Sequence, residues 1–123
     1  MEWYFRNDQP IYTQLTQQIT LAILSGSIPS GGRLPTVREL AAEAGVNPNT
    51  MQRALADLER QGLLYTNRTS GRYVTEDEEM ITKIRERIAE ERICAFLESM
   101  SQLGFTQEQV LGLIQREREE KNA

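Results

Sequence analysis

Gly31-Gly32-Arg33-Leu34-Pro35-Thr36-Val37-Arg38-Glu39-Leu40-Ala41-Ala42-Glu43-Ala44-Gly45-Val46-Asn47-Pro48-Asn49-Thr50 holds two helix starts and one helix stop. Thr36 is a good N-cap, and Glu39 three residues later completes the pattern of a capping box. Val37, Leu40, Ala41 and Ala44 recur at helical spacing, and Gly45 supplies a left-handed stop. Asn47 then caps a further helix whose first position, Pro48, needs no backbone N–H. That helix presents Met51, Ala54, Leu55 and Leu58 on one face and ends near Gln61-Gly62. Two short helices across a tight glycine turn form a helix-turn-helix, an arrangement whose second helix enters the major groove of DNA.

Upstream, Ile11, Leu15, Ile19, Ala22 and Ile23 predict a helix from Pro10 to Ser25, closed by Gly26. The three Gly and two Pro between Gly26 and Pro35 predict a loop. Trp3-Tyr4-Phe5 reads as an extended lead-in that covers a hydrophobic edge of its own domain or of a dimer partner. Downstream, Leu63-Leu64-Tyr65-Thr66 and Arg72-Tyr73-Val74-Thr75 are β-prone runs flanking the turn-rich Asn67-Arg68-Thr69-Ser70-Gly71. A hairpin directly after a helix-turn-helix makes the winged form of the motif.

The composition changes after Thr75. Glu76-Asp77-Glu78-Glu79 is an acidic helix start, followed by an apolar stripe of Met80, Ile81, Ile84, Ile88, Ile93, Phe96, Leu97 and Met100. Leu103-Gly104-Phe105 breaks this helix of about six turns. Thr106 and Gln109 offer a second capping box before a short helix through Val110, Leu111, Leu113 and Ile114, with a charged tail from Arg116 to Lys121. The chain is therefore expected to be mostly α with a small β-hairpin. Residues 1–75 form a winged helix-turn-helix domain, and residues 76–123 a two-helix segment.

The net charge of −4 divides unevenly. Residues 1–75 carry seven Arg against six acids, whereas residues 76–123 carry seven Lys/Arg against twelve. An acidic second half is compatible with nucleic-acid binding by the first, because charges more than about 10 Å apart are largely screened. One cysteine and no histidine exclude an intramolecular disulfide, a Cys/His zinc site and histidine-based catalysis. Carboxylate pairs and lysine chemistry remain open, but nothing arranges them into a recognisable site, and an enzyme is not expected. No apolar run reaches the roughly 20 residues needed to span a bilayer, and the N-terminus lacks a signal-peptide pattern. The expected location is the cytoplasm. Cys94, beside the apolar stripe, reads as a small buried residue.

Residues 10–75 resemble the GntR family of bacterial regulators. The resemblance rests on Pro10-Ile11-Tyr12-Thr13-Gln14-Leu15 and on Gly31 to Ala41, which follows a G-x-x-L-P-[ST]-x-R-x-L-A pattern. It also rests on Gly45-Val46-Asn47-Pro48-Asn49-Thr50 with Ala54-Leu55 and Leu58-Glu59-x-x-Gly62-Leu63. The short C-terminal segment, turning at Leu103-Gly104-Phe105-Thr106, looks like the YtrA-type branch. That resemblance implies a two-helix dimerisation module, no cofactor, and genes often placed beside transporter operons. Many family members have Arg where this chain has Pro48 and Gln52, and Thr69 replaces the first glycine of the usual wing G-x-G.

Arg38 on the second helix suits a phosphate or a guanine edge, and the family resemblance implies a DNA contact there. Asn49, Thr50, Gln52 and Arg53 lie in the first turns of the third helix, with Asn49, Thr50 and Arg53 favoured to face the groove. Arg33, Arg68, Gly71 and Arg72 are further candidates, the glycine by letting the wing backbone approach the minor groove. The apolar residues Ile81, Ile84, Ile88, Ile93, Phe96, Leu97 and Met100 are expected to meet a two-fold mate. The expectation is a regulator, a repressor by preference, whose homodimer reads double-stranded operator DNA with an inverted repeat. The competing reading is a winged-helix protein-interaction module without DNA binding, favoured by the pI of 4.9. No residue identifies an effector, the operator or the regulated genes.

Overall fold

The computed structural model describes residues 1–122 and falls into two compact units, Met1–Lys83 and a second from Ile84 on. The elements in order are α1 (Ile11–Leu24), α2 (Val37–Ala44), α3 (Pro48–Arg60), β1 (Leu64–Asn67), β2 (Gly71–Val74), α4 (Glu78–Gln102) and α5 (Gln107–Asn122). The expected architecture, mostly helical with one hairpin, is the one observed.

The local signals act as read. The Asn47 side chain accepts the Asn49 N–H at 2.8 Å, with Pro48 opening the helix, and Gly45 closes α2 at φ 70°. The α2 capping box is only half formed. Thr36 Oγ1 accepts the Glu39 N–H at 3.2 Å, but the Glu39 carboxylate takes the Thr36 hydroxyl instead of its backbone N–H. The box at α5 is complete: Gln109 N–H donates to Thr106 Oγ1 at 3.2 Å, and Thr106 N–H to Gln109 Oε1 at 2.9 Å.

The first unit is built around the contact of α1 with α3. Leu15, Ile19, Ala22 and Ile23 of α1 are buried, as are Leu40 and Ala41 of α2 and Met51, Ala54, Leu55 and Leu58 of α3. Leu63, Leu64 and Val74 close the core from the hairpin side. Burying such side chains stabilises by about 1.5–3 kcal/mol each. This packing fixes the rotation of α3, because its core stripe must face α1.

The hairpin differs from the sequence reading by one residue. Leu63 N–H bonds Leu58 C=O at 3.0 Å, finishing the end of α3, so the first strand begins at Leu64. Pairing runs from Leu64↔Val74 to Asn67↔Gly71, and Arg68, Thr69 and Ser70 form the tip. The Asn67 side chain accepts both the Thr69 N–H and hydroxyl, which fixes the turn.

The segment before α2, read as a loop, is partly strand-like. Val74 N–H bonds Gly32 C=O at 2.9 Å, Leu34 N–H bonds Arg72 C=O at 2.9 Å, and Arg33 bridges Tyr73. Its glycines and prolines gave no periodic signal. The pairing comes from β2, about forty residues away in sequence.

The first unit also runs past Thr75. Met80 packs within 3.3 Å of the space beside Gly62 (φ 88°), and Ile81 is buried, so the opening turns of α4 belong to it. Asp77 caps that helix by accepting the Met80 N–H at 3.2 Å. In the second unit, α5 continues through the charged tail as a 16-residue helix. Glu and Arg are strong helix formers, and Lys121 lies 3.6 Å from Glu117 one turn away. Among the described residues no helix is long and apolar enough to cross a membrane.

The lead-in runs extended along α1. Tyr4 N–H donates to Gln18 Oε1 at 3.2 Å, and Gln18 Nε2 returns a bond to Tyr4 C=O. Gln14, one turn earlier, does the same for Arg6, at 2.7 and 2.8 Å. Trp3 and Phe5 stack with centroids 6.0 Å apart and are half-buried, while Tyr4 between them is 77% exposed.

Candidate nucleic-acid interface

The arginines of the first unit sort into two groups. Arg6 pairs with Asp8, Arg60 with Asp57 at 2.8 Å, and Arg72 with Glu59 at 2.7 Å. Arg33, Arg38, Arg53 and Arg68 have no carboxylate partner among the described residues, and all four are exposed. They stand on the segment before α2, on α2, on α3 and at the hairpin tip. In a chain of net charge −4, these four guanidinium groups leave positive charge on the helix-turn-helix and its wing.

The rotation of α3 decides which of its side chains can meet a groove. Opposite the buried stripe of Met51, Ala54, Leu55 and Leu58 lie Asn49, Gln52 and Arg53, all exposed. Thr50 lies at the edge of that face and is half-buried. Gln52 is thus better placed than the sequence preference for Thr50 implied, because the core stripe tilts toward position 50.

Arg53 is seated on an aromatic ring. Its Cζ lies 4.2 Å from the centroid of Tyr12, which α1 brings against α3. The Tyr12 phenol pKa is raised, chiefly by hydrogen bonding to the Asp57 carboxylate and further by desolvation. Asp57 is lowered in turn, first by the Arg60 guanidinium and then by Tyr12, against a smaller effect of burial. Tyr12 was not a candidate in the sequence, where its place on a helix start carried no charge signal. The aromatic-over-guanidinium pair exists only once α1 and α3 pack.

Arg72 has a different place from the expected DNA contact. Its guanidinium is largely covered and donates to Glu59 Oε1, the same oxygen that accepts the Thr66 hydroxyl. Thr66 and Arg72 are opposite each other in the hairpin register, on the face that also buries Leu64 and Val74. Strand alternation therefore turns both toward α3. Burial disfavours the Glu59 charge, but the Thr66 and Arg72 hydrogen bonds outweigh it, and its pKa lies below the usual value. Tyr65 and Tyr73 stack on the other face, 5.6 Å apart.

Gly71 sits at φ 119°, and a Cβ there would meet Arg33 Nε at 3.2 Å. Its missing side chain gives Arg33 a bed across the hairpin. Arg68 projects from the tip. Arg33, Gly71 and Arg68 are thus grouped on the wing, while Arg72 positions it.

On α4, Ile81 and Ile84 are already buried in the chain itself, which removes them from the surface expected to meet a mate. Ile88, Leu97 and Met100 are half-buried, and Ile93 and Phe96 are 56% and 44% exposed. Leu103, Phe105, Leu111 and Ile114 add further exposed apolar side chains in the second unit. Cys94 is exposed rather than buried, lining an open depression with Leu97, Phe105 and Val110. Among the described residues no group of His, Cys, Asp and Glu is arranged to hold a metal ion.

The family model described as "Bacterial regulatory proteins, gntR family" matches residues 11–74, just over half the chain. An uncharacterized HTH-type transcriptional regulator of Bacillus subtilis (strain 168), YhcF, is 34% identical over 111 residues, covering 90% of this chain and 92% of its own. The HTH-type transcriptional repressor YtrA of the same organism is 39% identical over 89 residues, 68% of each chain. Among solved structures, a GntR family transcriptional regulator from Listeria monocytogenes superposes with a TM-score of 0.85 at 38% identity, over 91% of this chain and 98% of that one. The DNA-binding domain of AraR in complex with operator ORX1 matches with a TM-score of 0.56 at 32% identity, over 61% of this chain and 96% of that one.

Proposed function

This chain belongs to the GntR family of bacterial regulatory proteins, in its YtrA-type branch, and from that premise we propose that it represses transcription as a homodimer bound to an inverted-repeat operator. The family and the fold are those of DNA-binding transcription regulators, which are not enzymes. The observation that carries the proposal is the set Arg33, Arg38, Arg53 and Arg68, unpaired while neighbouring arginines are neutralised.

In this reading α3 lies in the major groove with Asn49, Gln52 and Arg53 toward base edges. Asn and Gln suit adenine, and Arg suits guanine. Thr50 lies at the rim. Arg38 grips the backbone beside the groove, and Arg33 and Arg68 bring the wing to phosphates. The operator-bound AraR domain supports the mode of binding. The likeness to the repressor YtrA supports repression and, with the branch's usual gene order, control of a transporter operon.

The exposed apolar residues from Ile93 to Ile114 support a dimer joined through the second unit, with residues 1–75 as the DNA-reading part. Two recognition helices about 34 Å apart would read half-sites one turn apart. A chain that reads the chromosome works in the cytoplasm.

The test is titration of the protein onto labelled duplex from its own upstream region and onto a scrambled duplex, at several salt concentrations. A preference for the native duplex that weakens steeply with salt supports the proposal. Arg38→Ala with Arg53→Ala abolishes that preference. A protein that binds neither this duplex nor any sequence from a random library is a protein-interaction module instead.

A further inference from the structure

Arg53 and Asp57 are four residues apart on α3, a spacing that places opposite charges together on one helix face. An ordinary i,i+4 pair here would neutralise the arginine. It does not form. Asp57 is engaged by Arg60 at 2.8 Å, and hydrogen bonding from Tyr12 further favours its charged form, while Arg53 lies over the Tyr12 ring at 4.2 Å.

We propose that Tyr12 is a positioning residue for sequence recognition, its ring seating the Arg53 guanidinium and its hydroxyl keeping Asp57 from pairing with it. The inference rests on the reading of α3 as the recognition helix. A guanidinium stacked on a ring uses its flat face and leaves its N–H edge free. That edge makes the two-point contact with guanine. A flexible four-torsion side chain is thereby ordered before DNA arrives, which lowers the entropic cost of the contact. Arg60, on the far side of Asp57, completes the arrangement by engaging the carboxylate from the helix end.

The proposal separates two parts of one side chain. Tyr12→Leu removes both the seat and the hydroxyl. Tyr12→Phe keeps the seat and releases Asp57 toward Arg53. In the Tyr12→Phe background, Asp57→Asn removes the charge that would neutralise the arginine.

The experiment uses the full chain and a duplex selected from a random library by the unaltered protein. Fluorescence anisotropy measures affinity for that duplex and for a set with each base pair changed in turn. Arg53→Ala identifies the base pair that Arg53 reads, where discrimination falls by about tenfold or more. Tyr12→Leu loses discrimination at that same base pair, and the Tyr12→Leu/Arg53→Ala double variant loses no more. Tyr12→Phe loses part of it, and adding Asp57→Asn returns it. Thermal unfolding accompanies each variant, and the Phe and Asn pair carries the test where Tyr12→Leu does not fold. Additive losses, or discrimination retained in Tyr12→Leu, overturn the positioning role while leaving DNA binding intact. A protein that selects no sequence overturns both.

Discussion

Glu59 Oε1 lies 2.7 Å from Arg72 Nε, joining the last turn of α3 to the central strand of the wing across thirteen residues of chain. Arg72 was expected to contact DNA and is instead engaged by Glu59, fixing where the wing stands relative to α3. Glu59→Gln keeps the shape of the side chain and removes its charge. It should destabilise the protein by about 1–2 kcal/mol, measured by urea unfolding at neutral pH. An unchanged midpoint would show that the pair contributes nothing to stability.

The same contact gives a pH dependence with a definite sign. The Glu59 pKa is lower in the folded protein than its ordinary value of 4.5. Its contribution is therefore complete above about pH 4.5 and lost as pH falls through the lowered folded value. The stability gap between the wild type and Glu59→Gln should narrow on acidification below 4.5. A gap that widens there contradicts the assignment.

Gly71 makes room for Arg33 and holds a backbone angle that other residues adopt with strain. Gly71→Ala should cost about 1–3 kcal/mol of stability and displace Arg33, weakening DNA binding. Arg33→Ala should weaken binding without the loss of stability, so thermal melts and anisotropy on the pair distinguish the two effects.

Arg68 stands at the exposed hairpin tip without a carboxylate partner among the described residues. Arg68→Ala should leave stability within about 0.5 kcal/mol. It should also reduce the slope of log affinity against log salt by about 1, as expected for one lost phosphate contact. An unchanged slope would place the wing tip away from DNA.

Ile93 and Phe96 present apolar area on α4 that their own chain leaves open. Replacing both with Glu should convert a dimer to a monomer of 14.1 kDa, seen by sedimentation equilibrium. A wild-type protein already at that mass would refute the homodimer.

The residues that announced themselves in the sequence were those acting on their own neighbourhood. Asn47-Pro48, Gly45, and Thr106 with Gln109 place helix ends within a few residues, because a cap is a local hydrogen bond. The stripe Met51, Ala54, Leu55 and Leu58 fixed the buried side of α3, and with it the outward place of Asn49, Gln52 and Arg53.

What stayed hidden depends on partners far along the chain. The pairing of Gly31–Leu34 with β2 needs the folded hairpin, and a glycine-rich stretch shows no strand pattern by itself. Arg72 and Arg68 are equivalent as letters, yet register turns one toward Glu59 and leaves the other at the tip. Tyr12 gains its role only from the packing of α1 on α3. The length of α5 was underestimated because a charged tail has no apolar stripe, although its residues favour helix strongly.

Gln14 and Gln18 hold the lead-in strand through the main-chain atoms of Arg6 and Tyr4. Amide and carbonyl groups are the same whatever the side chain, so this grip does not depend on the identity of the residue at position 4. With the exposed Cys94 replaced by serine, the exposed tyrosine there can be exchanged for a cysteine carrying a dye, with its backbone still docked on α1. A reporter at that place would ride on the helix that seats Arg53 while leaving every candidate DNA-facing side chain unaltered.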